Sequence, residues 1–326
     1  MNNLHSISVV VVNRNGEKFL DKLFKSLLDS LIYVANFYPH VNFVEVIFID
    51  NASTDSSLKK AHYWRIVFNN NGIVFRIVPL RRNYGYTFAA SCGVVLARGS
   101  YVAILNPDLY VDRDWLVHIL NTFMKYRRVG IVQPLILDYK DPSITQSKGL
   151  FCDEVYNYKG NVFNSQIILA PFGAAYIARR DILMKIGLLD SLFFMYGDEV
   201  DLGLRVWRYG YIVLLDPNAR VYHFGGGVTP QEIALIKRYL GLRNQLITLI
   251  KSCDGITCAI KFVILLGINV VRCLRSLHTC RAILSAYAYL IKRLKVLHRR
   301  RLCLSASKLL KESSLRKMGL IRPVLE

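Results

Sequence analysis

Four apolar, largely β-branched runs lie in the first third of the chain, at 7–12, 44–49, 73–78 and 101–105, and a segment of helical character separates each from the next. β-Branched side chains suit a pleated backbone, and runs apolar on both faces suit the interior of a parallel sheet. Phe19, Leu20, Leu23, Phe24, Leu27, Leu28 and Leu31 recur at three and four, which predicts an amphipathic helix over 17–34. Ser53, Thr54 and Asp55 are capping residues before a helix over about 55–69. Asn83-Tyr84-Gly85 is a turn before a helix over about 86–98 rich in small residues. The order β-α-β-α-β-α-β predicts a parallel sheet with helices on both faces.

All four runs end in polar or turn residues: Asn13, Asp50, Arg81-Arg82-Asn83, and Asn106 with Asp108. Right-handed crossovers put such ends on one edge of the sheet, and ligands of open α/β sheets bind in the crevice outside that edge. The fourth run, Y-V-A-I-L-N-P-D over 101–108, is the most telling. Pro107 has no N–H for a central ladder, so the strand stops and Asp108 is left as a lone carboxylate. Alone, this is equally an Asx-Pro turn. Beside three other polar strand ends, it suits Mg²⁺ or Mn²⁺ holding a diphosphate. Arg81 and Arg82 form either a solvated basic turn or a phosphate partner. The loops hold neither G-x-G-x-x-G after the first run nor G-x-x-x-x-G-K-[ST], which removes the main support for a dinucleotide dehydrogenase or a P-loop enzyme.

Residues 112–126 read as a further amphipathic helix and 130–137 as a strand, whereas 138–169 is polar and turn-rich, a place for short strands and substrate selectivity. Order returns at 172–178, strand-like and with small residues where a ligand could come close. Asp198, Glu199 and Asp201 then crowd the first turn of a helix. Acidic residues cap helix N-termini, but three in four positions exceed that need, and mutual repulsion lets one carboxylate serve as a general base. Short strands at 212–215 and 219–222 lead to His223 and to Gly225-Gly226-Gly227. A histidine at a strand end before three glycines is a ligand candidate beside phosphate.

Charge divides the chain. Residues 1–236 carry 24 Lys/Arg and 20 Asp/Glu, whereas 237–326 carry 19 and 3. We expect a catalytic domain over 1–236, with a first half to about 137 and a second over 138–236, followed by a basic helical region over 237–326. In that region the longest uncharged runs, 262–271 and 282–291, are short of the roughly 20 residues that span a membrane. With basic residues flanking both, they read as amphipathic helices on an anionic leaflet, each cation adding roughly 1 kcal/mol. A basic bundle packed on the catalytic domain and a nucleic-acid-binding tail are the alternatives; no nucleic acid is expected. The seven cysteines have no C-x-x-C spacing, which argues against a disulfide framework or a zinc site and for a reducing compartment. The first residues lack the pattern of a signal peptide, so the expected place is the cytoplasmic face of a membrane.

Taken as a set, V-V-V-V-N-R-N-G, I-D-N-A-S-T-D-S-S, R-N-Y-G-Y, G-S-Y-V-A-I-L-N-P-D, G-A-A-Y-I-A-R-R-D-I-L, F-F-M-Y-G-D-E-V-D-L and V-Y-H-F-G-G resemble the inverting family 2 glycosyltransferases over about residues 6–245. The likeness is greatest to the rhamnosyltransferase-like branch, where L-N-P-D replaces D-x-D. The resemblance implies a GT-A fold: a Rossmann-like, mostly parallel sheet flanked by helices. It also implies Mg²⁺ or Mn²⁺, a nucleotide-sugar donor, and a glycan or lipid-linked acceptor. By position, Asn13 and Asp50 would contact the nucleoside, Asn83 and Gly85 would line the donor pocket, Asp108 would bind the metal, and His223 would lie near metal or diphosphate. Relatives carry an E-D pair with the base second; here the order is Asp198-Glu199, so Glu199 is the positional base and Asp198 the fallback. Cys92 stands where relatives commonly carry Asn. A sugar nucleotidyltransferase and a catalytically silent membrane- or nucleic-acid-binding module are the competing classes, and residues 13–18 lack the Gly-rich basic loop of the former.

Overall fold

The computed structural model describes residues 5–160, 165–225, 231–254, 257–306 and 310–323. In chain order the elements are β1 (His5–Asn13), α1 (Glu17–Phe37), β2 (Val41–Asp50), α2 (Ser57–Asn70), β3 (Val74–Pro79), α3 (Tyr86–Leu96), β4 (Tyr101–Leu105), β5 (Leu109–Val111), α4 (Trp115–Lys125) and β6 (Val129–Asp138). There follow β7 (Thr145–Ser147), β8 (Leu150–Asp153), β9 (Tyr158–Gly160), β10 (Ala175–Arg179), α5 (Arg180–Lys185), α6 (Asp198–Arg208) and β11 (Ile212–His223). The C-terminal part holds α7 (Gln231–Ser252), α8 (Thr257–Arg275), α9 (Leu277–Ala306), α10 (Glu312–Lys317) and β12 (Ile321–Arg322).

Among the described residues nine strands form one sheet, in the order β3-β2-β1-β4-β10-β6-β11-β5, with β7 on the outside of β6. β1 to β4 are mutually parallel, as their composition predicts. Their ends align: Asn13 pairs with Asp50, Asp50 with Pro79, and Val11 with Leu105. The alternation of side chains explains why the runs are apolar throughout. Val9, Val11, Phe48 and Leu105 face one buried cluster with α1 and α4, while Val10, Val12, Ile49 and Ile104 face another with α3, α5 and α6.

The sheet is mostly parallel, as expected, with β10 antiparallel to β4 and β6 and β5 antiparallel to β11. Two expectations need correction. The two short strands expected at 212–215 and 219–222 are one strand, β11, whose register with β6 shifts between Asp216 and Arg220. Pro217 at the shift cannot donate to the ladder, which accounts for the interruption without ending the strand. Cys253 and Cys258 are joined in a disulfide, against the reading of the cysteines as unpaired. Two of the three glycines after His223, Gly226 and Gly227, lie outside the described residues.

The C-terminal helices share the sheet's core. Leu246, Ile247 and Leu249 of α7, Leu265 of α8 and Ala286 and Leu290 of α9 are buried in the cluster that holds Val200 and Leu204 of α6. β12 adds in parallel to β8. Charged groups fasten the contact: Lys251 lies 2.6 Å from both Asp190 and Asp201, and all three are buried.

Candidate active site

The end of β4 is where the elements converge. After Leu105 the Asn106 N–H donates to Ala174 O (2.9 Å), and Pro107 turns the chain. β5 follows at once and pairs with the end of β11, His223 opposite Leu109. The Phe224 N–H donates to Asp108 O at 3.0 Å. This three-residue pairing brings Asp108 Oδ2 within 3.2 Å of His223 Nε2, both side chains mostly buried.

A neighbour fixes how that imidazole is protonated. Gln146 Nε2 donates to Asp138 Oδ2 (2.7 Å) and to His223 O (3.0 Å), so its amide oxygen is the group 2.7 Å from His223 Nδ1. Nδ1 must then carry a hydrogen. In the neutral ring, Nε2 presents a lone pair to the Asp108 carboxylate. Two acceptors at that distance call for a positive charge between them, either a proton or a metal ion. A carboxylate oxygen and an imidazole nitrogen suit Mn²⁺ or Mg²⁺ as part of a larger oxygen-rich set. Among the described residues no three His, Cys, Asp or Glu side chains group as metal ligands, so this pair would supply two positions only.

Across from the pair stands the N-terminus of α6. Gly197 precedes it in the left-handed conformation, φ 74°, which a residue without Cβ adopts freely. The three carboxylates of that first turn have different fates. Asp201 is taken up by Arg205 (2.9 Å) and Lys251. Asp198 is buried with neither oxygen hydrogen-bonded. Burial, and then the charge of Glu199, raise its pKa well above the usual carboxylate range. Glu199 is half-buried and opens on the cavity. Burial raises its pKa too, but backbone N–H groups, its own and those of Gly197 and Gly173, favour its ionised form. Of the adjacent pair, Glu199 is thus the group able to take up a proton. Repulsion within the cluster, the cause expected from sequence, is second to burial.

A cavity of about 500 Å³ joins these parts; its walls include Asp108, His223, Asp198, Glu199, Tyr86 and Lys237. Of the small residues at 172–178 expected to let a ligand come close, Gly173 and Ala174 are walls of this cavity. A Cβ on Gly173 would collide with Glu199 Oε1, so the close approach there is made by the carboxylate itself.

The residues expected to contact a nucleoside or line a donor pocket are gathered at the neighbouring strand ends, outside the walls of that cavity. Asn13 Nδ2 donates to Asp50 Oδ1 and to Ser53 Oγ, both at 3.0 Å, and Asp50 Oδ2 accepts from the Ser53 N–H. Asn13 Oδ1 is buried without a partner. Asn83 Oδ1 accepts from Asn51 Nδ2 (2.9 Å) and from the Gly85 N–H (3.0 Å). Gly85 has φ 88°, and a Cβ on it would strike Phe194. Arg82 lies over the Tyr84 ring at 4.8 Å.

Sequence reasoning missed four contributors. Gln146 orients His223, and Gly173 seats Glu199. Arg243 and Asn244 of α7 hold the loop before α6: Asn244 Nδ2 reaches the carbonyls of Phe193, Met195 and Tyr196 at 2.6–3.0 Å, and Arg243 those of Leu192 and Phe193. That loop places two non-glycine residues, Phe194 (φ 65°) and Tyr196 (φ 68°), in the left-handed region, a strain that needs such support. Arg243 and Asn244 lie between Leu240, Leu242 and Leu246, on the apolar pattern of α7, and that is the signal that could have found them.

Comparison with known proteins bears on the family and the fold. A family model described as "Glycosyl transferase family 2" matches residues 8–187, and one described as "Glycosyl transferase family group 2" matches 101–300. The chain is similar to the "Inactive polypeptide N-acetylgalactosaminyltransferase-like protein 5" of Macaca fascicularis, 27% identical over 72% of this chain and 54% of that one. It is also similar to the N-acetylglucosaminyl-diphospho-decaprenol L-rhamnosyltransferase of Mycobacterium tuberculosis, 26% identical over 59% of this chain and 70% of that one. It spans about half the length of the polypeptide N-acetylgalactosaminyltransferase-like relative. Among solved structures, GalNAc-T7 with UDP, GalNAc and Mn²⁺ superposes with a TM-score of 0.61 at 20% identity, covering 78% of this chain and 49% of that one. The mannosyltransferase PcManGT of Pyrobaculum calidifontis, with GDP-Man and Mn²⁺, superposes with a TM-score of 0.57 at 16% identity, covering 97% and 79%. The fold is thus of the GT-A type with C-terminal helices, and the chain belongs to glycosyltransferase family 2.

Proposed function

We propose that this chain is an active, cation-dependent inverting glycosyltransferase that moves a sugar from a nucleotide diphosphate to a hydroxyl of a glycan or lipid-linked acceptor. The observation that carries the reading is the meeting of Asp108, His223 and Glu199 on one cavity. A rhamnosyltransferase-like donor choice has the support of the motifs and of the mycobacterial relative. UDP and GDP sugars have that of the two solved structures. The proposed place of work is the cytoplasmic face of an anionic membrane, in keeping with the basic C-terminal region.

The donor would lie along the strand ends, nucleoside at Asn13, Asp50, Asn83 and Gly85, diphosphate toward Asp108 and His223. Mn²⁺ or Mg²⁺ held by that pair would supply Lewis-acid neutralisation of the leaving diphosphate. Glu199 accepts the proton of the acceptor hydroxyl as its oxygen bonds to the anomeric carbon from the face opposite the diphosphate, whose C–O bond breaks.

The name of the macaque relative favours a second reading, a donor-binding chain without turnover. Thermal shift with UDP, dTDP and GDP, each with and without Mn²⁺, followed by a nucleotide-sugar turnover assay, separates the two. At least one nucleotide should stabilise the chain in a Mn²⁺-dependent way, and Asp108→Ala should remove that dependence. Glu199→Gln should keep donor binding and lose about 10²–10⁴-fold in turnover. Native turnover in Glu199→Gln would show that another group is the base. Nucleotide binding without any turnover would favour the second reading.

A further inference from the structure

The disulfide runs from Cys253, just past the end of α7, to Cys258 in the first turn of α8. Its two sulfurs are unequal. Cys253 is fully buried, whereas Cys258 is half-buried. Arg301 of α9 reaches the bond. Its Nη1 donates to Ile250 O (3.3 Å) and lies 3.3 Å from Cys258 Sγ and 3.9 Å from Cys253 Sγ. A guanidinium this close and the N-terminus of a 19-residue helix both favour a thiolate over a thiol. The carboxylate next in the chain, Asp254, is itself offset by Arg208, whose Nη2 stands 3.7 Å from it.

A bond across five positions is also a poor staple, because a disulfide's stabilisation comes mainly from restraint of the unfolded chain and grows with the loop it closes. Buried Leu246, Leu265 and Leu290 already hold α7, α8 and α9 together. The end of α7 that the bond restrains has its own connections. Lys251, two residues before Cys253, bridges Asp190 and, on α6, Asp201. Ser252 O accepts from Arg208 of α6. Further back on the same helix, Arg243 and Asn244 hold the loop that leads to Glu199.

We propose that Cys253 and Cys258 form a redox-active pair, opened and closed by exchange with a small thiol and its disulfide, and that the state of the bond sets how firmly α7 holds the loop before α6. In opening, an external thiolate bonds to the half-buried Cys258 Sγ. The S–S bond breaks, and its electron pair leaves with Cys253 Sγ, beside Arg301. A second external thiolate bonds to the sulfur of the first, and Cys258 Sγ leaves in turn. Two external thiols are oxidised to one disulfide. The protein disulfide is reduced to two sulfhydryl groups, which take up the two protons the external thiols gave. Closing is the reverse.

The full-length chain, equilibrated in glutathione buffers of graded ratio, quenched and mapped by mass, tests the exchange. Cys253 and Cys258 should pass together from disulfide to two thiols within the range of potentials that glutathione sets. Cys152, whose thiol is pushed up by burial, should form no mixed disulfide in the folded chain. Arg301→Gln should slow opening by glutathione at neutral pH by about 10-fold or more, because the leaving thiolate loses its counter-charge. Arg301→Lys keeps a cation there and should restore most of the rate, which separates charge from packing. Amide hydrogen exchange tests the coupling: on reduction, exchange over 191–197 should rise by about 5-fold or more. The double variant Cys253→Ser, Cys258→Ser should show the raised rate in every buffer. A bond that stays closed until the chain unfolds overturns the redox-active pair, as does an opening rate unchanged in Arg301→Gln. Exchange over 191–197 that ignores the state of the bond overturns the coupling to α6.

Discussion

Gly173→Ala is the most economical test of where the base sits. Gly173 lies just before β10 with a backbone conformation that alanine also adopts, so the substitution adds one methyl and no backbone strain. That methyl falls on Glu199 Oε1, with the Glu199 carboxyl carbon at 3.2 Å and its Cγ at 3.4 Å from the new atom. The carboxylate must retreat by about 1 Å, and a misplacement of that size at a reacting group costs on the order of 10²-fold in rate. In free energy this is about 2.7 kcal/mol of transition-state stabilisation. Asp108, His223, Asn13 and Asp50 lie on other elements and keep their partners, so binding of nucleotide with Mn²⁺ should stay within about twofold of native, a shift of about 0.4 kcal/mol. The assay is a paired one: nucleotide affinity by calorimetry, turnover of the donor identified by screening. Affinity retained with kcat down about 100-fold is the expected result. Turnover at the native level would refute the placement of Glu199 as base, because the three atoms nearest the new methyl all belong to Glu199.

Two further outcomes follow from the carboxylates behind the site. Asp198 has its pKa raised by burial and by the Glu199 charge, so the folded state holds a proton that the unfolded chain releases near pH 3.9. Its share of stability is therefore greatest below that pH and declines as pH rises toward the folded value. Asp198→Asn should abolish the decline, gaining on the native chain between pH 5 and pH 7.5 in urea unfolding; parallel stabilities at both pH values would contradict the assignment. Lys251→Met leaves Asp201 with Arg205 and Asp190 with Arg300 and the Leu192 N–H, both carboxylates still buried, and should destabilise by about 3 kcal/mol in the same assay. For Asp190, burial pushes the pKa up but Lys251 and Arg300 outweigh it and hold the group at about 2, so its stabilisation is present above the unfolded value and lost as pH falls through about 2. Without Lys251 the acid transition should move to higher pH.

What was legible in the sequence is what short-range pattern encodes. The four parallel strands and α1 follow from β-branched runs and a three-four period, and both are local properties. The sharing of one edge by Asn13, Asp50, Asn83 and Asp108 follows from crossover handedness, again without long-range information. β5 was not legible: Leu-Tyr-Val is too short to stand out, and it is a strand only because the end of β11 lies beside it. The reversal of β10 was hidden for a related reason, since an antiparallel central strand is as apolar as a parallel one. That Gly173 also makes room for the Glu199 carboxylate was not legible, because a sequence records the absence of a side chain but not what lies beside it. Arg243 and Asn244 sit in a stretch that reads as one more amphipathic helix, and their purpose depends on a loop fifty residues earlier. The disulfide between Cys253 and Cys258 joins residues at a spacing that suggested no pairing rule.

The β5–β11 pairing has a consequence for the order in which the protein comes into being. Asp108 is in place once β4 has joined the sheet, but His223 and the Phe224 N–H reach it only when the last strand of the sheet has inserted. Closing so long a loop is slow and is rewarded late. A nascent chain that has folded β1 to β4 therefore has Asn13, Asp50 and Asp108 at their strand ends but lacks the contact of Asp108 with His223, which forms only when the sheet is complete.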